Sequence, residues 1–119
     1  MGKSIVADKS YQFAIRIVKL YKWLCEEKRE YTLSKQLLRS GTAIGALLKE
    51  AEQAQSKADF LNKVNIALKE ANETAYWLML LKDTGFIAQK EFDSMIENAE
   101  ELIKMLVSIV KTTKVNLRK

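Results

Sequence analysis

Four stretches of the chain repeat apolar residues at the three- and four-residue spacing of an amphipathic helix. In DKSYQFAIRIVKLYKWLCEEK these are Phe13, Ala14, Ile17, Leu20, Tyr21 and Leu24, before the charged run EEKRE breaks the pattern. A second stripe, Leu33, Leu37, Ile44, Leu48 and Ala51, is lost near Gln55, where Ser56 and Asp59 read as a variant capping box. The third carries Phe60, Val64, Ala67, Leu68, Ala71, Ala75 and Leu78 and stops at DTG, where Gly85 suits the left-handed backbone of a helix C-terminus. The fourth carries Phe92, Met95 or Ile96, Ala99, Leu102, Ile103, Leu106 and Ile109. The spacing predicts helices over about 8–28, 32–53, 57–83 and 88–113, and no segment has the two-residue period of a strand. Four helices with short connections predict an all-α fold, an antiparallel up-down four-helix bundle forming a single domain over residues 1–119.

Composition sharpens this picture at two points. The chain has no proline and only four glycines, and two of these, Gly41 and Gly45, fall inside the second helix, in QLLRSGTAIGALLKEA. Glycine there costs roughly 0.5–1 kcal/mol relative to alanine, so the pair is expected to permit a close helix approach, within the bundle or between subunits. A G-K-[ST] element does not follow, which argues against a phosphate loop. The chain also carries more apolar surface than one bundle needs. Leu47, Tyr76, Trp77, Leu80 and Leu81 extend beyond the core stripes and are candidates for an oligomer interface, and Trp23 also lies off its stripe.

The charge is unevenly placed. Of the net +5, all resides in residues 1–50, with ten Lys/Arg against five Asp/Glu, whereas residues 88–110 are acidic. Arg16, Lys19, Lys22, Lys35, Arg39 and Lys49 are therefore candidate contacts to RNA or DNA, which would sum around a ring of subunits. Alternatively they pair with the acidic fourth helix of a neighbouring subunit, in a protein-interaction scaffold. Candidate chemistry is sparse. With no histidine and one cysteine, Cys25, the chain cannot supply zinc sites built on those ligands, Ser-His or Cys-His pairs, or an internal disulfide. Glu50, Glu70 and Glu73 could face one another, but without histidine they lack the E-x-x-H element of di-metal bundles. A structural polar network of Gln36, Arg39, Glu50, Glu70 and Glu73 is the expected use of these residues. No catalytic residue, metal site or cofactor is expected, and the protein reads as a non-enzyme. No apolar run approaches a membrane span, and MGKSIVADKSYQ lacks the apolar core of a signal peptide, so no membrane association and a cytoplasmic location are expected.

LSKQLLRSGTAIGALLKEA followed by SKADFLNKVNIALKEANETAYWLMLLKDTGFI resembles the four-helix-bundle family of 23S rRNA intervening-sequence proteins. That family opens its second helix with an L-x-x-Q-x-x-R-[AS]-x-x-S-I-x-x-N-I-x-E-[AG] block and enters the third through K-x-D-F. The resemblance implies a ring-like homopentamer and places Gln36, Arg39, Glu50, Glu70 and Glu73 on family-typical positions. It extends to a related branch, the accessory variability determinant of diversity-generating retroelements, which binds nucleic acid and a reverse transcriptase through a basic pentameric surface. The chain departs from the pattern at Ala43 and Leu47, where the family has serine and asparagine.

Overall fold

The computed structural model describes residues 4–118. It contains four helices, α1 (Ile5–Lys28), α2 (Leu33–Ala51), α3 (Lys57–Asp83) and α4 (Gln89–Leu117), and no strand among the described residues. Helices adjacent in the chain pack against each other, and α1 meets α4 along a shorter seam that closes the bundle. The molecule measures 51 × 23 × 20 Å. Its core is a continuous column of apolar side chains that includes Phe13, Ile17, Leu24, Leu37, Ile44, Val64, Leu78, Met95, Leu102 and Leu106.

Helix ends explain where the observed limits differ from the spacing. α1 starts three residues before the expected Asp8 because Ser4 Oγ accepts a hydrogen bond from Ala7 N at 3.2 Å. It ends where Arg29 takes a left-handed conformation (φ 51°) and Glu30 N donates to Leu24 O at 3.0 Å. The start of α2 is capped from outside. The Glu30 carboxylate accepts from the backbone N–H of Thr32, Leu33 and Ser34 at 2.7–3.2 Å, satisfying three of the helix's orphan donors. α2 stops at Ala51, two residues short of the expected Gln53. Ser56 Oγ accepts from Asp59 N at 3.0 Å, and Asp59 reaches back to Gln55 N at 3.3 Å, so the capping box is shifted by one donor. Gly85 (φ +85°) closes α3, with Phe86 N donating to Leu81 O at 2.8 Å. α4 runs four residues beyond the expected 113, since nothing in TKVNL breaks a helix.

The two helical glycines both face α1. A Cβ at Gly41 would lie 2.8–2.9 Å from three side-chain carbons of the fully buried Ile17. A Cβ at Gly45 would meet Ser10 Oγ at 3.3 Å and the Ser10 carbonyl oxygen at 3.6 Å. The α1–α2 pair is therefore closer than alanine at position 41 would allow. On its other side α2 meets α3 through buried hydroxyls. Ser40 Oγ and Thr74 Oγ1 lie 2.9 Å apart, and Thr74 Oγ1 also donates to Glu70 O at 2.8 Å.

Candidate nucleic-acid interface

A row of basic residues at three-residue spacing winds backward by about 60° per step around a helix, so it does not stay on one face. Arg16, Lys19 and Lys22 illustrate this. Arg16 turns into the α1–α4 seam, where its guanidinium donates to Asn98 Oδ1, to Ser94 Oγ at 2.8 Å and to Ser94 O at 3.4 Å, with Glu91 4.0 Å away. Lys19 and Lys22 are exposed. Lys9, one helical face with Arg16, pairs with Glu101 at 3.2 Å. Two acidic residues of α4, Glu91 and Glu101, thus meet basic partners of their own chain, whereas Asp93, Glu97 and Glu100 are exposed without one among the described residues.

On α2, Lys35 and Lys49 are exposed, and like Lys19 and Lys22 they have no acidic partner within 4.0 Å among the described residues. Lys49 borders a shallow α1–α2 groove lined by Tyr11, Thr42, Gly45 and Ala46, with Asp8 and Glu52 nearby. Arg39 is committed elsewhere. It pairs with Glu70 at 3.3 Å and with Glu73, and its Nε donates to Gln36 Oε1 at 3.4 Å. Glu73 in turn accepts from Trp77 Nε1 at 3.1 Å. Four members of the expected polar network therefore converge, joined by an indole that the sequence pattern placed with the apolar residues. Glu50 does not join them: it lies three turns further along α2 and pairs with Lys63 at 3.1 Å.

The candidate interface residues also divide. Leu81 is fully buried in the core and has no surface to offer a partner, because α3 turns it inward with Leu78. Leu47 and Trp77 are half-buried against the core, and Leu80 is half-buried. Tyr76 stands out into solvent, its ring edge-on to Trp77 at 5.0 Å. Exposed Met79 was not anticipated, although it lies three residues beyond Tyr76 on the same helix.

Cys25 is half-buried, with Sγ 3.8 Å from Ser34 Oγ. The Cys25 side chain raises the pKa of the Tyr21 phenol beside it above its ordinary value. Among the described residues no three His, Cys, Asp or Glu side chains are placed to hold a metal ion. No helix among them is long and apolar enough to cross a membrane.

The fold and its surface define a helical bundle whose polar side chains tie helices together and whose net charge is +5. Residues 2–108 match the family model described as 23S rRNA-intervening sequence protein, and the chain belongs to that family. It is also similar to a crystal structure, at 1.70 Å, of a protein of unknown function from the S23 ribosomal protein family of Bacteroides thetaiotaomicron. The two are 58% identical, the match covers 90% of this chain and 99% of that one, and the TM-score is 0.89. No curated protein matches. The family is not defined by an enzymatic activity.

Proposed function

We propose that this chain is a non-enzymatic, cytoplasmic helical bundle that self-associates and binds RNA or DNA through the exposed lysines of α1 and α2. The observation that carries this reading is the contrast between two sets of cations. Arg16, Lys9 and Arg39 are bound to partners within the chain, whereas Lys19, Lys22, Lys35 and Lys49 are exposed without an acidic partner among the described residues. Four free ammonium groups on one subunit make a weak phosphate-binding surface, and a ring of subunits multiplies it. Exposed Tyr76 and Met79, beside half-buried Leu80, offer an apolar patch for self-association, and the family resemblance makes a pentamer the assembly of choice. A reverse transcriptase is the protein partner which that resemblance would add.

A scaffold using its basic residues to grip a neighbour's acidic helix is the weaker alternative, since Arg16 and Lys9 already meet Glu91 and Glu101 in the same chain. Fluorescence anisotropy of labelled RNA and DNA across a salt series separates the two. Nucleic-acid binding gives an affinity that falls steeply with salt and weakens in Lys19→Glu, Lys22→Glu protein. Absence of binding at low salt leaves only the scaffold.

A further inference from the structure

Trp23 stands at the open end of the α1–α4 seam with 40% of its surface exposed. With Arg16, Lys19, Leu20, Glu91 and Met95 it lines a depression of about 330 Å³. Leu20 and Met95 are buried and form an apolar floor. The Nζ of Lys28 stands 5.4 Å from the centre of the Trp23 ring. Unlike Trp77, whose indole N–H is held by Glu73, Trp23 makes no side-chain hydrogen bond among the described residues.

An exposed indole beside an apolar floor, with ammonium groups on either side, has the two elements that recognise a nucleotide: a flat π-face for the base and a cation for the phosphate. Only an unpaired base can present its face, because duplex bases are stacked on one another. The charges within reach favour one polarity. Glu91 is drawn toward the guanidinium of Arg16, and Glu26 and Glu27, in the turn of α1 after Trp23, offset the Lys28 ammonium there, so the uncompensated positive charge lies on the Lys19 side. Lys19, one turn before Trp23, is exposed and has no acidic partner among the described residues.

We propose that Trp23 stacks on an unpaired base of single-stranded RNA or DNA while Lys19 holds the adjoining phosphate. The chain then prefers single strands to duplexes. The proposal rests on the nucleic-acid reading above, and its test separates the two. A short, unstructured, labelled RNA strand and the same strand annealed to its complement are titrated with wild-type, Trp23→Ala, Trp23→Phe and Lys19→Gln proteins. Stacking on an aromatic is worth about 1–3 kcal/mol per base, so Trp23→Ala loses about 5- to 150-fold in single-strand affinity and almost nothing for the duplex. Trp23→Phe retains most of the affinity, and Lys19→Gln flattens the salt dependence. In a Trp77→Phe background the remaining indole emission, from Trp23, is quenched by the single strand and not by the duplex. This readout needs no change at position 23 and holds even if Trp23→Ala folds poorly.

Equal losses on both probes, or none, with binding still salt-sensitive, overturn the stacking site and leave the charged surface standing. Loss of subunits by light scattering in Trp23→Ala, with single-strand affinity per subunit unchanged, assigns the ring to a contact between copies and overturns it too. Failure of the wild-type protein to bind either probe at low salt overturns both readings.

Discussion

α1 is held in the bundle along two seams of opposite character. Toward α2 it lies against Gly41 and Gly45, so close that Ile17 fills the space of an alanine methyl at position 41. Toward α4 its ties include the polar contacts of Arg16 with Ser94, Asn98 and Glu91 and of Lys9 with Glu101. The first seam gains from dispersion and exclusion of water, which need a fixed separation. The second gains from charge-assisted contacts at the surface, which tolerate small displacements and are partly screened by salt. The rigid side of α1 is therefore its α2 face. Its α4 face carries the adjustable contacts, with Trp23 and Lys19 exposed beside them.

The largest expected effect breaks the close seam. Ile17→Ala removes a fully buried side chain and is expected to cost about 2–5 kcal/mol in urea unfolding. Gly41→Ala tests the same contact from the other side. The gain of about 0.8–1 kcal/mol in helix propensity is outweighed by overpacking of roughly 1–3 kcal/mol. Ile17→Val should relieve part of that cost in the double mutant, a non-additivity diagnostic of direct contact. Gly45→Ala meets Ser10 Oγ at 3.3 Å rather than a set of carbons at 2.8–2.9 Å, so its stability should stay within about 1 kcal/mol of wild type. If Gly41→Ala proves as mild as Gly45→Ala, the close seam is not what fixes α1.

That the glycine pair serves close packing was legible in advance, because a pair four apart on a helix has few other uses, but the spacing did not say whether the partner was α1 or a helix of another subunit. The apolar columns were legible for a similar reason: period and burial are the same physical fact. Arg39 with Glu70 and Glu73 could also be read, since oppositely charged long side chains on helices that face each other have few other partners. Three features escaped. Ser10, Ser40, Thr74 and Thr113 are buried, although hydroxyls read as surface. Each bonds a carbonyl three or four residues back in its own helix, which the pattern of polarity does not reveal. Glu30 looked like one more solvated charge in EEKRE, yet it caps α2. Arg16 looked like the first of a basic row, and only the rotation between successive positions separates it from Lys22.

Between these extremes lies the α2–α3 contact, where a hydroxyl pair is buried among apolar side chains. Thr74→Val keeps the shape and removes the hydroxyl beside Ser40, which retains its bond to Leu37 O, and is expected to cost about 0.5–1.5 kcal/mol. Adding Ser40→Ala should return much of this loss, since replacing both partners by apolar groups is often nearly neutral. A double mutant that is worse than the single would mean that the hydroxyls act through their own helices and not across the seam.

The polar seam should respond less and differently. Arg16→Met loses hydrogen bonds to the neutral Asn98 and Ser94 and is expected to cost about 1 kcal/mol, with little change between low and high salt. Lys9→Met loses one exposed ion pair, worth about 0–1 kcal/mol, and that difference should vanish as salt rises. Chemical melts of both variants at two ionic strengths distinguish them. A strongly salt-dependent loss in Arg16→Met would make Glu91, and not Asn98 and Ser94, its main partner.

The last comparison, which contains the smallest effect, concerns the turns that deliver each seam. Both the α1–α2 and α3–α4 connections use a left-handed residue, but the second uses Gly85 and the first uses Arg29. A side chain in that conformation costs roughly 1–2 kcal/mol, and glycine avoids it. Part of the gain from Arg29→Gly is returned as extra freedom in the unfolded chain, so the variant should be more stable by only a few tenths of a kcal/mol. Gly85→Ala should lose about 1 kcal/mol purely through its backbone, since an added Cβ there has no atom within 4 Å. Opposite signs for these two substitutions in thermal melts would confirm that both turns are governed by the same conformational term. A destabilised Arg29→Gly protein would instead show that the Arg29 side chain itself holds α1 in place against α2.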